Sequence, residues 1–141
     1  MKELFVDTDI ILDLLGKREP FYKYAAELFS MIERGIIHAY VTPVIFANLY
    51  YILCKQIGKE QALKNLQKLK LLVKILPVDE RTIELALNSG FTDFEDAIQY
   101  YSSKCNGIKY LLTRNKKDYK KSDITIMSAE EYLVILKKTQ E

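Results

Sequence analysis

Short apolar runs alternate along this chain with longer stretches in which apolar residues recur every three or four positions. The runs are Leu4-Phe5-Val6, Ile37 to Val41, Val73 to Val78, Tyr110-Leu111-Leu112 and Ile124-Thr125-Ile126. They are rich in β-branched and aromatic residues and read as buried strands. The stretches between them read as helices with legible ends. Ile10-Ile11-Leu12 with Leu14-Leu15 forms a short helix closed by Gly16, and Pro20 suits the first turn of the next helix. In that helix Tyr24, Leu28, Met31 and Ile32 keep helical spacing as far as Gly35. Thr42-Pro43 is an N-cap followed by proline, so a helix starts there and runs to about Ile57. Gly58 separates it from a lysine-rich amphipathic helix over 60–72. Asp79 caps a helix over 80–88, and Asp93 caps one over 94–104 that Asn106-Gly107 ends. Ser128 opens the last helix, with Glu131 at the capping-box position, and residues 137–141 read as a frayed end.

Strands that alternate with helices over the whole length predict a parallel sheet covered by helices, in a single domain spanning 1–141. Composition agrees: 49% of residues are hydrophobic and 28% charged, as in a soluble globular protein. A net charge of +2 says nothing by itself about nucleic acid; only local clustering of the 21 basic residues could. Cys54 and Cys105 form no C-x-x-C pair, which argues against a zinc site and for two buried free thiols in a reducing cytosol. The first apolar stretch is broken by Asp7, Asp9 and Asp13, unlike a signal peptide, and no apolar run approaches the ~20 residues of a membrane span. A cytoplasmic protein is expected.

Candidate chemistry gathers in acidic segments beside the strands. Ligands of open α/β sheets bind outside the carboxyl ends of the strands. Carboxylates collected there raise one another's pKa unless a cation lies between them, and a hard divalent ion is the usual solution. Asp7 ends the first strand and reads equally as a ligand or as a helix N-cap. Asp9 and Asp13 are expected on different sides of the first helix, with one of them solvated or capping. Asp93 reads as a cap. Asp96 heads an apolar face formed by Ala97-Ile98 and Tyr100-Tyr101, so it needs a partner or a metal. Thr113-Arg114-Asn115 follows a strand and precedes Lys116, Lys117, Asp118, Tyr119, Lys120 and Lys121. That segment is either a metal-proximal Thr, Asn and Asp beside a basic phosphate platform, or a solvated loop. His38, the only histidine, reads as structural. No P-loop or dinucleotide fingerprint is present. Tyr50-Tyr51 and Tyr100-Tyr101 suit an interface or a core equally.

Taken together, Asp7-Thr8-Asp9, Asp96-Ala97 and Thr113-Arg114-Asn115-Lys116-Lys117-Asp118-Tyr119 resemble the motifs of a PIN domain, in the right order along the full length. The resemblance implies a three-layer α/β/α, Rossmann-like fold with a mostly parallel sheet of about five strands. It implies Mg²⁺- or Mn²⁺-dependent ribonuclease activity, a toxin of the VapC kind with a cognate antitoxin, and a homodimer. By position, Asp7, Asp96 and Asp118 match metal-binding catalytic acids and Thr113 a supporting hydroxyl. Asn115, Asp9 and Glu95 are expected to support the site, and Arg114, Lys116, Lys117 and Lys120 to meet RNA phosphates. Asn48 stands where such domains usually place a glutamate; it offers a neutral carbonyl ligand. Asp9 replaces the commoner asparagine and returns a charge. Glu95 is adjacent to Asp96, and neighbours on a helix do not face the same way. Two rivals stand beside this reading: a non-catalytic PIN domain that binds RNA or protein, and a haloacid-dehalogenase-like phosphatase, whose first motif Asp7-Thr8-Asp9-Ile10-Ile11 also resembles.

Overall fold

The computed structural model describes residues 1–119 and 123–140. Five strands, β1 (Glu3–Val6), β2 (His38–Val41), β3 (Val73–Ile75), β4 (Tyr110–Leu112) and β5 (Thr125–Met127), form one sheet in the order β3-β2-β1-β4-β5. Every pairing is parallel. The helices are α1 (Thr8–Leu15), α2 (Tyr22–Glu33), α3 (Pro43–Ile57), α4 (Lys59–Leu72), α5 (Glu80–Leu87), α6 (Phe94–Cys105) and α7 (Ala129–Gln140). The crossovers from β1 to β2 and from β2 to β3 step the same way along the sheet, so right-handed connections lay α1–α4 on one face. The crossover from β3 to β4 steps back past both strands, which puts α5 and α6 on the other. Helix α7 packs on α2.

This layering explains the apolar runs. Leu4, Phe5 and Val6 in succession, and Leu111 and Leu112, are wholly buried because helices cover both faces of the central strands. The strand order reverses between β1 and β4, where connections leave toward opposite faces. That divergence opens a crevice at the carboxyl ends of these two strands.

Several boundaries differ from expectation for identifiable reasons. The third strand ends at Ile75: Leu76 still donates to Val41 O at 2.8 Å, but Pro77 has no N–H with which to continue. The fifth strand is displaced by one residue, to Thr125–Met127. Pro20 lies in the turn before α2, not in its first turn. Helix α7 persists to Gln140, so most of the expected frayed end is helical. Its capping box forms as expected, with Ser128 N–H donating to Glu131 and Glu131 N–H to the Ser128 hydroxyl, at 3.0 and 3.1 Å. Gly58 joins α3 to α4 at φ +84°, a conformation that side-chain-bearing residues rarely adopt. Both cysteines are free, but Cys105 is exposed and Cys54 half-buried, so the expected burial fails. His38 is exposed at the start of β2. Among the described residues no helix is long and apolar enough to cross a membrane.

Candidate active site

Asp7 is fixed by the sheet before its side chain does anything. Its N–H extends the β1–β4 ladder to Leu112 O at 2.9 Å, and its carboxylate caps α1 by accepting from Thr8 N–H at 2.7 Å. Across the switch point, Thr113 N–H extends the β4–β5 ladder to Met127 O at 2.9 Å. The Thr113 hydroxyl, wholly buried, donates to Asp7 Oδ2 at 2.9 Å and accepts from Asn115 N–H at 3.1 Å. Asp7 is therefore both a cap and a member of the cleft.

A single-turn 3-10 helix, η1 (Lys116–Tyr119), was not anticipated. It delivers Tyr119 to the centre of the site. The Tyr119 hydroxyl lies 3.4 Å from Asp7 Oδ2, 3.2 Å from Asp96 Oδ1 and 3.0 Å from Gln99 Oε1. One phenol proton cannot satisfy three acceptors. Asp96 reaches this point from the first turn of α6, whose N-cap Asp93 accepts from Asp96 N–H at 3.1 Å. Gln99 stands one turn further along the same face and is buried.

Asp9 and Asp13, four residues apart, share one side of α1, contrary to expectation; Asp9 is half-buried and Asp13 buried. Asp9 Oδ2 accepts from Arg114 N–H at 3.1 Å and from Asn115 Nδ2 at 3.4 Å, tying α1 to the loop after β4. Asp13 is 2% exposed and sits between two guanidinium groups, with Arg18 Nε and Arg114 Nε each at 3.2 Å. Arg114 also lies over the Phe21 ring, 4.2 Å from its centre. Arg114, expected to meet phosphate, is thus already paired, and Lys116 likewise pairs with Glu131 at 2.8 Å. Lys117 is exposed on η1. Lys120 and Lys121 lie outside the described residues.

A cleft of about 490 Å³ brings together Asp7, Asp9, Asn48, Glu95, Asp96, Asn115 and Asp118. Asp118 is exposed at its rim. Asn48 Nδ2 donates to Glu95 Oε2 at 2.7 Å, so Glu95 faces the same cleft as Asp96 although the two are sequence neighbours. Among the described residues no group of three or more acidic, histidine or cysteine side chains stands close enough together to hold a metal ion as it is.

The electrostatics are those of crowded acids. Burial, then the Asp9 carboxylate, pushes Asp7 up to about 6, against the hydrogen bonds from Thr113 and Thr8. Burial, then Asp7 and Asp93, pushes Asp96 up to about 7. Burial also raises Asp9, with the Arg114 N–H opposing. The Tyr119 hydroxyl is held far above its ordinary range by burial and the facing Asp7 and Asp96 charges, so it stays protonated and donates. Asp9 Oδ1 is buried without a hydrogen-bond partner among the described residues. An oxygen-rich, charge-crowded set with an unmatched buried carboxylate oxygen fits a hard divalent cation. An open set suits Mg²⁺ in particular, which takes one or two carboxylates and keeps several waters.

A family model described as PIN domain matches residues 3–117. Ribonuclease VapC1 of Aquifex aeolicus (strain VF5) is 26% identical over 136 residues, which cover 93% of each chain. Among solved structures, FitAcB from Neisseria gonorrhoeae has a TM-score of 0.69 at 15% identity, over 89% of this chain and 97% of that one. VapBC2 from Rickettsia felis, bound to a DNA fragment from its promoter, has a TM-score of 0.65 at 17% identity, over 89% and 97%. At these identities the two structures share the fold.

Proposed function

The chain belongs to the PIN-domain family, and from that premise we propose that it is a divalent-metal-dependent ribonuclease. The observation that carries the proposal is the meeting of Asp7 and Asp96 across the Tyr119 hydroxyl, in a carboxylate-lined cleft at the switch point of the sheet. The relative from Aquifex, named a ribonuclease, supports RNA as the substrate class. Asp7, Asp96 and Asp118 would hold Mg²⁺ or Mn²⁺, with the Asn48 amide oxygen as a neutral ligand. Such an ion would activate a water and stabilise charge on the phosphate.

The chain's own residues do the positioning. Thr113 aims Asp7 by donating to its outer oxygen, and Asn115 N–H fixes the Thr113 hydroxyl in turn. Asp9 clamps the 113–115 loop through its backbone. Tyr119 keeps its proton and offers a single hydrogen bond to Asp7, Asp96 or Gln99. Lys117 is the described lysine of the basic segment that stays open to a phosphate; Lys116 would first have to leave its ion pair with Glu131, and Arg114, held by Asp13 through Nε, could offer only its terminal nitrogens. We also read the protein as the toxin of a cytoplasmic toxin–antitoxin pair that forms homodimers, a role supported by family kinship and by the VapBC2 neighbour.

The non-catalytic alternative rests on Asn48. Its hydrogen bond to Glu95 leaves a carboxylate in that corner of the cleft, which favours the enzyme. The phosphatase reading is not favoured by the family match. The test is RNA cleavage by purified protein with Mn²⁺, abolished by EDTA and by Asp7→Asn or Asp96→Asn with unchanged circular dichroism. Cleavage that survives EDTA, or an active Asp96→Asn variant, would overturn the proposal. RNA binding without cleavage would favour the non-catalytic reading.

A further inference from the structure

A second cavity, of about 560 Å³, adjoins the acidic cleft, and Asn115 lines both. Its walls come from α1, the turn before α2 and the first turn of α2, the start of α7 and the loop after β4, and its two acids, Asp13 and Glu130, are engaged by Arg114 and by the Tyr24 hydroxyl. The residues that matter are Phe21, Lys23, Tyr24 and Arg114. Its volume falls within the ~300–1,000 Å³ of ordinary small-ligand sites.

Two features give it a chemical character distinct from the acidic cleft. First, Phe21 is 39% exposed although it is a large apolar residue at the mouth of a cavity. It stands just before α2, whose own apolar face is buried through Ala25, Leu28 and Phe29. Second, the Arg114 guanidinium carbon lies over the Phe21 ring, 4.2 Å from its centre, and its side chain remains 31% exposed. Asp13 holds it through Nε, and among the described residues its terminal nitrogens carry no hydrogen bond. A half-exposed aromatic ring stacked with a guanidinium that has spare donors is a platform for a planar, anion-bearing ligand. Nucleobases stack on aromatic and guanidinium planes, and their phosphates take the spare donors.

We propose that this cavity is a nucleotide subsite, in which the Phe21–Arg114 stack takes a base flanking the phosphate that occupies the acidic cleft. The proposal rests on the ribonuclease reading for the identity of the strand. It adds a recognition site on the α2 side of Asn115 that none of the acidic residues supplies. Continuity through Asn115 is what makes one strand able to reach both places. Lys23, at the same cavity, adds positive charge for the backbone beyond the base.

The experiment uses the full chain and two readouts. Affinity is measured by fluorescence anisotropy with 5′-fluorescein, mixed-sequence RNA decamers in the Asp96→Asn background. Kinetics are measured in the active protein with Mn²⁺ on whichever RNA it cuts. Phe21→Ala should weaken RNA binding and raise KM about five- to 150-fold, the range expected from losing one base stack of ~1–3 kcal/mol. It should leave kcat near wild type and the melting temperature unchanged. Phe21→Trp, which keeps a stacking surface, should retain affinity. Unchanged affinity in Phe21→Ala would overturn the subsite. So would a fall in kcat with KM held, because Phe21 would then act only by steadying Arg114 and the catalytic loop. So would loss of affinity for a protein partner with RNA binding intact. If the wild type cuts no RNA, the ribonuclease reading falls, while anisotropy still decides whether Phe21 contacts RNA.

Discussion

Replacing Asp96 with Asn should make the metal-free protein more stable above neutral pH. Burial first, then the carboxylates of Asp7 and Asp93, hold the Asp96 carboxyl at about 7, against an ordinary 3.8. One pKa unit corresponds to ~1.4 kcal/mol, so ionised Asp96 opposes folding by up to ~4 kcal/mol. The residue is half-buried, and solvent screening cuts this roughly in half. Its place in the first turn of α6 works the other way, since the helix dipole favours a negative charge there by ~0.5 kcal/mol. The Asn oxygen can still accept from Tyr119. The net gain is ~1.5 kcal/mol, or about 5 °C in melting temperature for a chain of this size. The pH dependence follows from the direction of the shift. A carboxyl with a raised pKa binds its proton more tightly in the folded state, so wild-type stability falls as pH rises from about 3.8 through about 7 and is flat above. The variant lacks this slope. Its advantage should be full at pH 8 and less than half as large at pH 5. Thermal melts in EDTA across that range measure it. Adding Mn²⁺ at pH 8 should raise the wild-type melting temperature and move the variant little. A variant that melts below wild type at pH 8 would refute the reasoning, because Asp96 would then be a net stabilising cap.

Two other changes test neighbouring parts of the same network. Asp13→Ala leaves Arg18 and Arg114 without their shared carboxylate; both side chains are partly exposed, so urea unfolding should show a loss of ~1–2 kcal/mol, below the ~3–5 kcal/mol of a fully buried pair. Asn48→Glu should tighten Mg²⁺ or Mn²⁺ binding by isothermal titration, because a charged ligand replaces a neutral one, while metal-free stability falls as the new carboxylate meets Glu95. Equal affinities would mean that Asn48 does not reach the metal.

The fold was legible because its signals are local. Fully buried parallel strands cannot alternate, so Leu4-Phe5-Val6 and Leu111-Leu112 stand out as unbroken apolar runs between amphipathic stretches. Caps at Thr42, Asp79, Asp93 and Ser128 mark helix starts, since each side chain accepts from an N–H in its own first turn. Where the reading slipped, a local rule was misapplied or outweighed. Pro77 had already ended a run that still looked apolar. The exposed Cys105 shows that a burial preference does not fix a single residue near a helix end. The short turn of η1 has no apolar period at all, so nothing in the pattern announces it.

The acids at strand ends could be found because a strand end is a position, not an orientation. Residues that depend on helix register or on loop shape could not. Tyr119 was visible as the last residue of a motif, yet nothing in its surroundings said that its hydroxyl would stand between Asp7 and Asp96. Gln99 had one signal, a polar residue one turn from Asp96 on an apolar face, and it was overlooked. Asp13 shows the same point through an error: four residues from Asp9, it shares Asp9's side of α1, and its two arginines come from different loops. Asn48 and Glu95 carry the point furthest. Read along the chain, Asn48 is a lost charge and Glu95 a residue facing away from Asp96. In space they are hydrogen-bonded on the wall of one cleft. Repulsion and metal affinity depend on distance between carboxylates, so the quantity that decides this site is the charge within the cleft, and a substitution in α3 has to be weighed with the residue it touches in α6.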